Sequence, residues 1–280
     1  MKFPRQDHAA RQAALLLTLC AAAAPTGALA GTAAWSFSSG VDYTQGDYGT
    51  GQDTSIVVAP FSAIYGAERW RAALTVTYAS IDGAGGVVPG SSSAIGAGSP
   101  LSNVVNPLLG AGGPAEIPIV ATDVEEQGLG DTTLELGFTP YIGENGAHVS
   151  LSGAVRLPTG DEERSLGAGE TVVSFAAGAA QSIADRGAIY GAVGYAHAVE
   201  SGDGGVFLSG GVEGRVNDDW LLGASAEWSE SRVAGAPERT QVTLYSGFSL
   251  STDVLLAAYV VTGLSDAAPD TGGGIRLTLH

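Results

Sequence analysis

Residues 156–161 read Arg-Leu-Pro-Thr-Gly-Asp and run on into Glu162 and Glu163. A glycine turn with a threonine and a cluster of carboxylates could cradle a phosphate, hold a divalent cation or supply a general acid. Each reading needs company elsewhere in the chain. A phosphate cradle needs a strand, a glycine turn and then a helix; the glycine-rich stretches 83–90 and 110–113 are followed by no helical pattern. Zinc needs ligands at close spacing, whereas His148, His197 and His280 lie on separate segments with no His-x-x-His pattern. Asp42, Asp47, Asp53, Glu125, Glu126, Asp131, Asp161, Glu162 and Glu163 do not fall at the spacing of a calcium loop, and solvated loops account for them more simply. His197 is the best candidate for a catalytic base, yet its period-two phase matches Val193 and Tyr195, an apolar set. The expectation is therefore no catalytic residue, no metal and no cofactor.

The elements that would position these residues follow from composition. Glycine is 42 of 280 residues and charged residues are only 15%, about double and well below the usual shares. The first 30 residues read as a secretory leader: Lys2, Arg5 and Arg11, an apolar run from Ala13 to Ala24, then Ala28-Leu29-Ala30 before the expected cut. Its removal takes 12 basic residues to nine, all arginine, and 29 acidic ones to 28, a net charge of −19 with no cysteine. A chain that acidic is not expected to bind nucleic acid through phosphate contacts. After the leader the longest apolar run is eight residues, Val254 to Val261, against about 20 for a membrane helix. A chain this poor in charge, without a spanning helix, fits a β-barrel of the outer membrane, whose apolar face is spread over every second residue.

Period-two alternation supports that reading. Val242, Leu244, Phe248 and Leu250 share one face of residues 240–250, and Gln241, Thr243, Tyr245, Gly247 and Ser249 the other. The same test predicts strands over 34–44, 53–65, 68–81, 130–142, 147–158, 170–183, 187–199, 205–216, 220–231, 239–250, 253–263 and 271–280. Short breaks such as Gly66-Ala67 and Ser251-Thr252 alternate with mostly longer, often acidic ones. The predicted fold is all-β: a transmembrane antiparallel up-and-down barrel of about 12 strands over residues 31–280, with short periplasmic turns and longer extracellular loops. Trp35, Tyr65, Trp70, Tyr141 and Trp220 on the short-turn side, and Tyr43, Tyr78 and Trp228 toward the loops, suggest two interfacial belts.

The longest connection, 82–129, carries apolar patches at Val104-Val105, Leu108-Leu109 and Ile117 to Val120. Such a loop is expected to fold over or into the barrel mouth and narrow it. Arg71, Glu135, Arg156, Glu213, Arg215, Glu227 and Arg276 all fall on the polar phase and are expected to line the lumen. An arginine facing lipid at mid-membrane would cost about 2–4 kcal/mol. A tight turn at 143–146 would set Glu135 beside Arg156, and that pair is expected inside the lumen, as a brace or as a selectivity element.

Four motifs carry a resemblance: Gly128-Leu-Gly-Asp131, Arg156-Leu-Pro-Thr-Gly-Asp161, Leu166-Gly-Ala-Gly-Glu170 and Tyr190-Gly-Ala-Val-Gly-Tyr195. Together they resemble the outer-membrane barrels named for the MetA pathway of phenol degradation, with the best match over about 128–215. The resemblance implies a transporter-like barrel that passes small aromatic or apolar molecules, and it supplies no catalytic residues. The chain departs from the usual barrel ending, an aromatic residue, by closing on His280. The expected function is an outer-membrane channel for passive passage of a small-molecule solute, in a Gram-negative cell. The expected surroundings are outer-membrane lipid and lipopolysaccharide, with the barrel assembly machinery as a partner and the monomer as the working form. The alternatives are a closed barrel with a structural or surface-binding role and, least favoured, an outer-membrane hydrolase.

Overall fold

The computed structural model describes residues 33–84, 123–143, 146–183, 186–231 and 237–280. The expected leader and the central part of the long loop, 85–122, lie outside the described residues. Twelve strands run in sequence order: β1 (Ala33–Gly46), β2 (Thr54–Ala67), β3 (Trp70–Ala84), β4 (Asp123–Ile142), β5 (His148–Leu157), β6 (Val172–Ile183), β7 (Gly187–Ala198), β8 (Gly204–Arg215), β9 (Trp220–Ser229), β10 (Arg239–Ser251), β11 (Val254–Gly263) and β12 (Thr271–Leu279). Each pairs antiparallel with its sequence neighbours, and β1 pairs with β12 from Phe37↔Leu279 to Gln45↔Thr271, so the sheet closes into a barrel. Closure leaves no unpaired edge, which is what a strand protein needs in hydrocarbon.

Alternation sorts the residues. Phe175, Tyr195, Leu208, Val212, Leu244, Val260 and Ile275 point outward and are exposed. Their inward neighbours Ser174, Ala196, Glu213, Thr243, Val261 and Arg276 are buried. A soluble protein does not turn its large apolar side chains outward all round; a barrel whose solvent is lipid does. No helix among the described residues is long and apolar enough to cross a membrane; the crossing is made by strands. Trp35 lies against Tyr65 at 5.2 Å and Trp70 against Phe138 at 4.4 Å, both at the short-turn end, where amphipathic rings are favoured at a lipid–water boundary.

One strand start differs from the sequence reading. β4 begins at Asp123 rather than 130, and β3 and β4 stay paired out to Ala84↔Asp123. Residues 82–84 and 123–129 are thus strand, not loop. The cause is local. Val76 pairs with Thr132 and Tyr78 with Leu129, so Gly130 and Asp131 together oppose Thr77 in a β-bulge. The bulge flips the alternation, and a period-two test stops where the phase breaks. It also needs its glycine: a Cβ on Gly130 would lie 2.5 Å from Thr77 Oγ1 and 3.2 Å from the Leu166 carbonyl oxygen. With both bulge residues turned inward, Asp131 is aimed into the barrel and buried.

Candidate functional site

The interior has two sides. From β12 round to β5 it is ionic. The Arg276 Nη2 donates to Asp42 Oδ2 at 3.0 Å, and the Tyr259 hydroxyl donates to Asp42 Oδ1 at 2.8 Å. Arg71 Nη1 donates to Glu135 Oε1 at 2.8 Å. Arg156 Nε stands 3.6 Å from Asp131 Oδ2. All six side chains are at least 85% buried, so each pair has exchanged water for its partner.

From β7 to β11 the wall is aromatic. The Tyr190 and Tyr245 hydroxyls are hydrogen-bonded at 2.8 Å, and Tyr245 donates to Glu213 Oε2 at 3.0 Å. Each ring lies over a glycine of the adjacent strand. A Cβ built on Gly211 would clash with the Tyr190 hydroxyl and Cζ; ring atoms would be met in the same way from Gly223 beneath Tyr245, Gly194 beneath Phe207 and Gly274 beneath Tyr259. Four missing side chains therefore let four inward rings lie flat against the wall. Leu221, Leu255 and Ala257 pack with Tyr245, and Tyr259 packs against that cluster. Below the loop end, Glu227 is hydrogen-bonded by Gln241 with Arg239 in electrostatic reach, and Arg239 Nη2 donates to Gln241 Oε1 at 2.6 Å.

The residues singled out from sequence are placed as follows. Arg71, Glu135, Arg156, Glu213, Glu227 and Arg276 face inward. Arg215 has the inward phase but is exposed at the β8–β9 turn, where Nη1 donates to the Asp218 carbonyl at 3.3 Å. The expected Glu135–Arg156 pair is not formed. Glu135 is diagonal both to Arg156, opposite Thr133, and to Arg71, opposite Gly137; it bonds Arg71 on β3, and Arg156 faces the Asp131 that the bulge turns inward. Asp42 and Asp131, read from sequence as loop carboxylates, are buried inside the barrel. Asp42 shares its phase with Ser36, Ser38 and Thr44, a signal that the alternation of β1 already carried. Arg239 was missed although it shares the phase of Gln241 and Thr243. His197 lies outward with Val193 and Tyr195. Among the described residues no three His, Cys, Asp or Glu side chains converge as metal ligands would.

The opening motif forms a strap over the mouth. β5 ends at Leu157 before Pro158, which has no N–H for the ladder. Residues 158–171 then fold back onto β4, with Asp161 to Arg164 exposed at the tip. Asp131 holds both limbs: its Oδ1 accepts the Gly160 N–H at 3.0 Å and its Oδ2 the Ala168 N–H at 2.9 Å. The limbs touch through glycines, since a Cβ on Gly160 would lie 2.8 Å from the Gly167 Cα and 2.5 Å from the Leu166 carbonyl. Thr159 Oγ1 donates to the Gly130 carbonyl at 3.1 Å, and Arg164 binds Glu126 Oε2 through Nε at 2.7 Å. Leu166, at the inner side of the strap, packs with Tyr48, Ile56, Val58, Ala79 and Ile81 in an apolar cluster inside the mouth. Tyr48 comes from the β1–β2 loop and donates to Thr44 Oγ1 at 2.6 Å. Burial pushes its phenol pKa up, so it stays neutral.

Solved structures share this architecture. The COG4313 outer membrane channel from Pseudomonas putida F1 aligns at 14% identity over 92% of this chain and 99% of that one, with a TM-score of 0.62. The NanC porin aligns at 10% identity over 88% and 100%, with a TM-score of 0.52. At those identities the likeness is one of fold. None of the curated proteins matches the sequence. Residues 72–280 match the model of the family described as "Putative MetA-pathway of phenol degradation", with the glycine bulge, the strap and the aromatic wall all inside the matched span, and the chain belongs to that family.

Proposed function

We propose that this barrel is a passive outer-membrane channel for small, uncharged molecules of aromatic or apolar character carrying a polar group. The observation that carries the reading is the near balance of charge in the interior. Side-chain ion selectivity comes from rings of one charge sign. Here Arg276, Arg71 and Arg156 each face a carboxylate, Arg239 lies in electrostatic reach of Glu227, and Glu213, hydrogen-bonded by Tyr245, is the one acid in excess among these inward groups. The excess acid of the chain, which has 29 acidic against 12 basic residues, is largely carried by turns and loops. A path with little net charge, walled by flat aromatic rings, suits a solute that can slide along π-faces and exchange hydrogen bonds with hydroxyls and carboxylates. The COG4313 protein is described as an outer membrane channel and the NanC protein as a porin, and both descriptions accord with this reading.

The test is uptake into liposomes carrying the purified protein. Small neutral phenolics are expected to enter faster than sugars or charged aromatics of equal size, with a low and weakly ion-selective conductance in planar bilayers. Strong selectivity for cations or anions would sink the reading. A second reading, a closed barrel with a structural role, draws on the near-complete burial of inward side chains such as Thr75, Gln241 and Thr278. No flux of any solute would select it.

A variant probes the aromatic wall. Gly223→Val is expected to push the Tyr245 ring off the wall, break its contacts with Tyr190 and Glu213, and slow aromatic uptake severalfold in the same liposomes. Unchanged uptake would place the passage away from β9 and β10.

A further inference from the structure

The strap has more attachments than a surface connection needs, and its one buried side chain points into the mouth. We infer that Leu166 is the residue that sets which solutes enter, and that Asp131 is the positioning residue that holds it there. The inference deepens the channel reading above and rests on it.

Four observations carry it. First, Asp131 is placed by a bulge whose glycine cannot be replaced without a clash, and its two oxygens bind the two limbs of one loop. A carboxylate accepting two backbone N–H groups fixes a loop in position and angle, because neither limb can shift without losing a charge-assisted hydrogen bond. Secondly, Arg156 stands beneath the same carboxylate, so β5 holds the strap from below. Thirdly, the loop carries a backbone marker of constraint. Among the described residues the non-glycine positions with positive φ are Tyr48, at 49°, and Ser165, at 57°. One is a cluster residue and the other immediately precedes Leu166, and the side chains of Tyr48 and Leu166 belong to the same mouth cluster. Non-glycine residues hold that conformation when surrounding contacts determine it. Fourthly, the outer limb is pinned again by Arg164 to Glu126 and to the Gln127 carbonyl at 3.0 Å, on the projecting part of β4.

The consequence is an apolar step at the entrance, ahead of the ion-paired interior. A solute must pass Leu166 and Tyr48 before it meets a hydrogen-bonding group of the ionic arc. Such a step favours solutes with an apolar face and sets an upper size, since the strap cannot yield without breaking several hydrogen bonds at once.

The experiment is a liposome uptake series of neutral phenolics of increasing ring substitution, run on the wild type, Leu166→Ala, Asp131→Asn and Arg164→Ala. Folding of each is checked by heat-modifiable gel migration. Leu166→Ala is expected to raise uptake of the largest members severalfold and leave the smallest nearly unchanged. Asp131→Asn presents an NH2 group to one of the two N–H donors and is expected to act in the same direction. Arg164→Ala removes only the outer pin, leaves the interior untouched, and keeps the inference testable if either interior variant does not fold. A size profile identical to wild type in all folded variants, with the wild type passing small phenolics, overturns the role of the strap and leaves the channel reading standing. A wild type that passes nothing overturns the channel reading, and with it the role of Leu166 in choosing solutes, even if Leu166→Ala conducts. Absence of flux through every variant overturns both.

Discussion

Leu244→Arg is expected to destabilise the folded barrel by about 2–4 kcal/mol in a bilayer, because an arginine at the membrane midplane must be dragged from water. Leu244 sits at the middle of β10, points outward and is 57% exposed to what the fold makes lipid. Leu250 shares its face and is 56% exposed, but lies at the short-turn end of the same strand. Leu250→Arg is therefore expected to cost about 0–1 kcal/mol, since a side chain at the interface reaches water. Urea unfolding in lipid vesicles, followed by tryptophan fluorescence, gives both values. Equal costs at the two sites would mean that β10 does not cross a bilayer along its length.

The second large effect concerns the interior. Glu135→Ala is expected to destabilise the barrel by about 3 kcal/mol, because removal of one partner strands a buried charge. Arg71 and Glu135 are 14% and 8% exposed and bound at 2.8 Å. Among the described residues Arg71 Nε and Nη2 have no acceptor. The double replacement Arg71→Met with Glu135→Leu removes both charges and is expected to recover most of the loss. The same single variant removes one interior negative charge and strands Arg71, so planar-bilayer reversal potentials are expected to shift toward anion preference. A double variant as unstable as the single one would show that the pair contributes by packing rather than by charge.

Much of the fold was legible because a lipid-facing barrel writes its geometry into period two. Every outward position in hydrocarbon must be apolar and every interior position is freed from that demand, so Val242, Leu244, Phe248 and Leu250 could be placed from sequence spacing alone. The alternation of short and long breaks then set the strand count and the ends. The same regularity explains the failures. At Gly130-Asp131 an extra residue inverts the phase, and the start of β4 and the direction of Asp131 were lost together.

The interior was legible only as a set of inward residues, not as partners. Phase says that Arg71, Glu135 and Arg156 share a space; register says which of them meet. Register depends on bulges and on stagger between strands: Arg71 stands opposite Gly137 and Arg156 opposite Thr133, each diagonal to Glu135, and the bulge at Gly130-Asp131 turns in the second carboxylate that Arg156 meets. Neither the flat tyrosines nor their glycines stood out, because Gly211 under Tyr190 and Gly223 under Tyr245 are cross-strand relations with no mark in the linear chain.

The Arg-Leu-Pro-Thr-Gly-Asp stretch divides along the same line. Its residue types were enough to end a strand at Pro158 and to turn the chain, since a residue with no N–H and a glycine act on the backbone locally. That Gly160 and Ala168 are gathered by one carboxylate from β4, that Arg156 stands beneath it and that Leu166 closes on Tyr48 required the closed sheet. Those contacts join residues far apart in sequence, and only barrel closure with its bulge brings β4, β5 and the first loop to the same mouth.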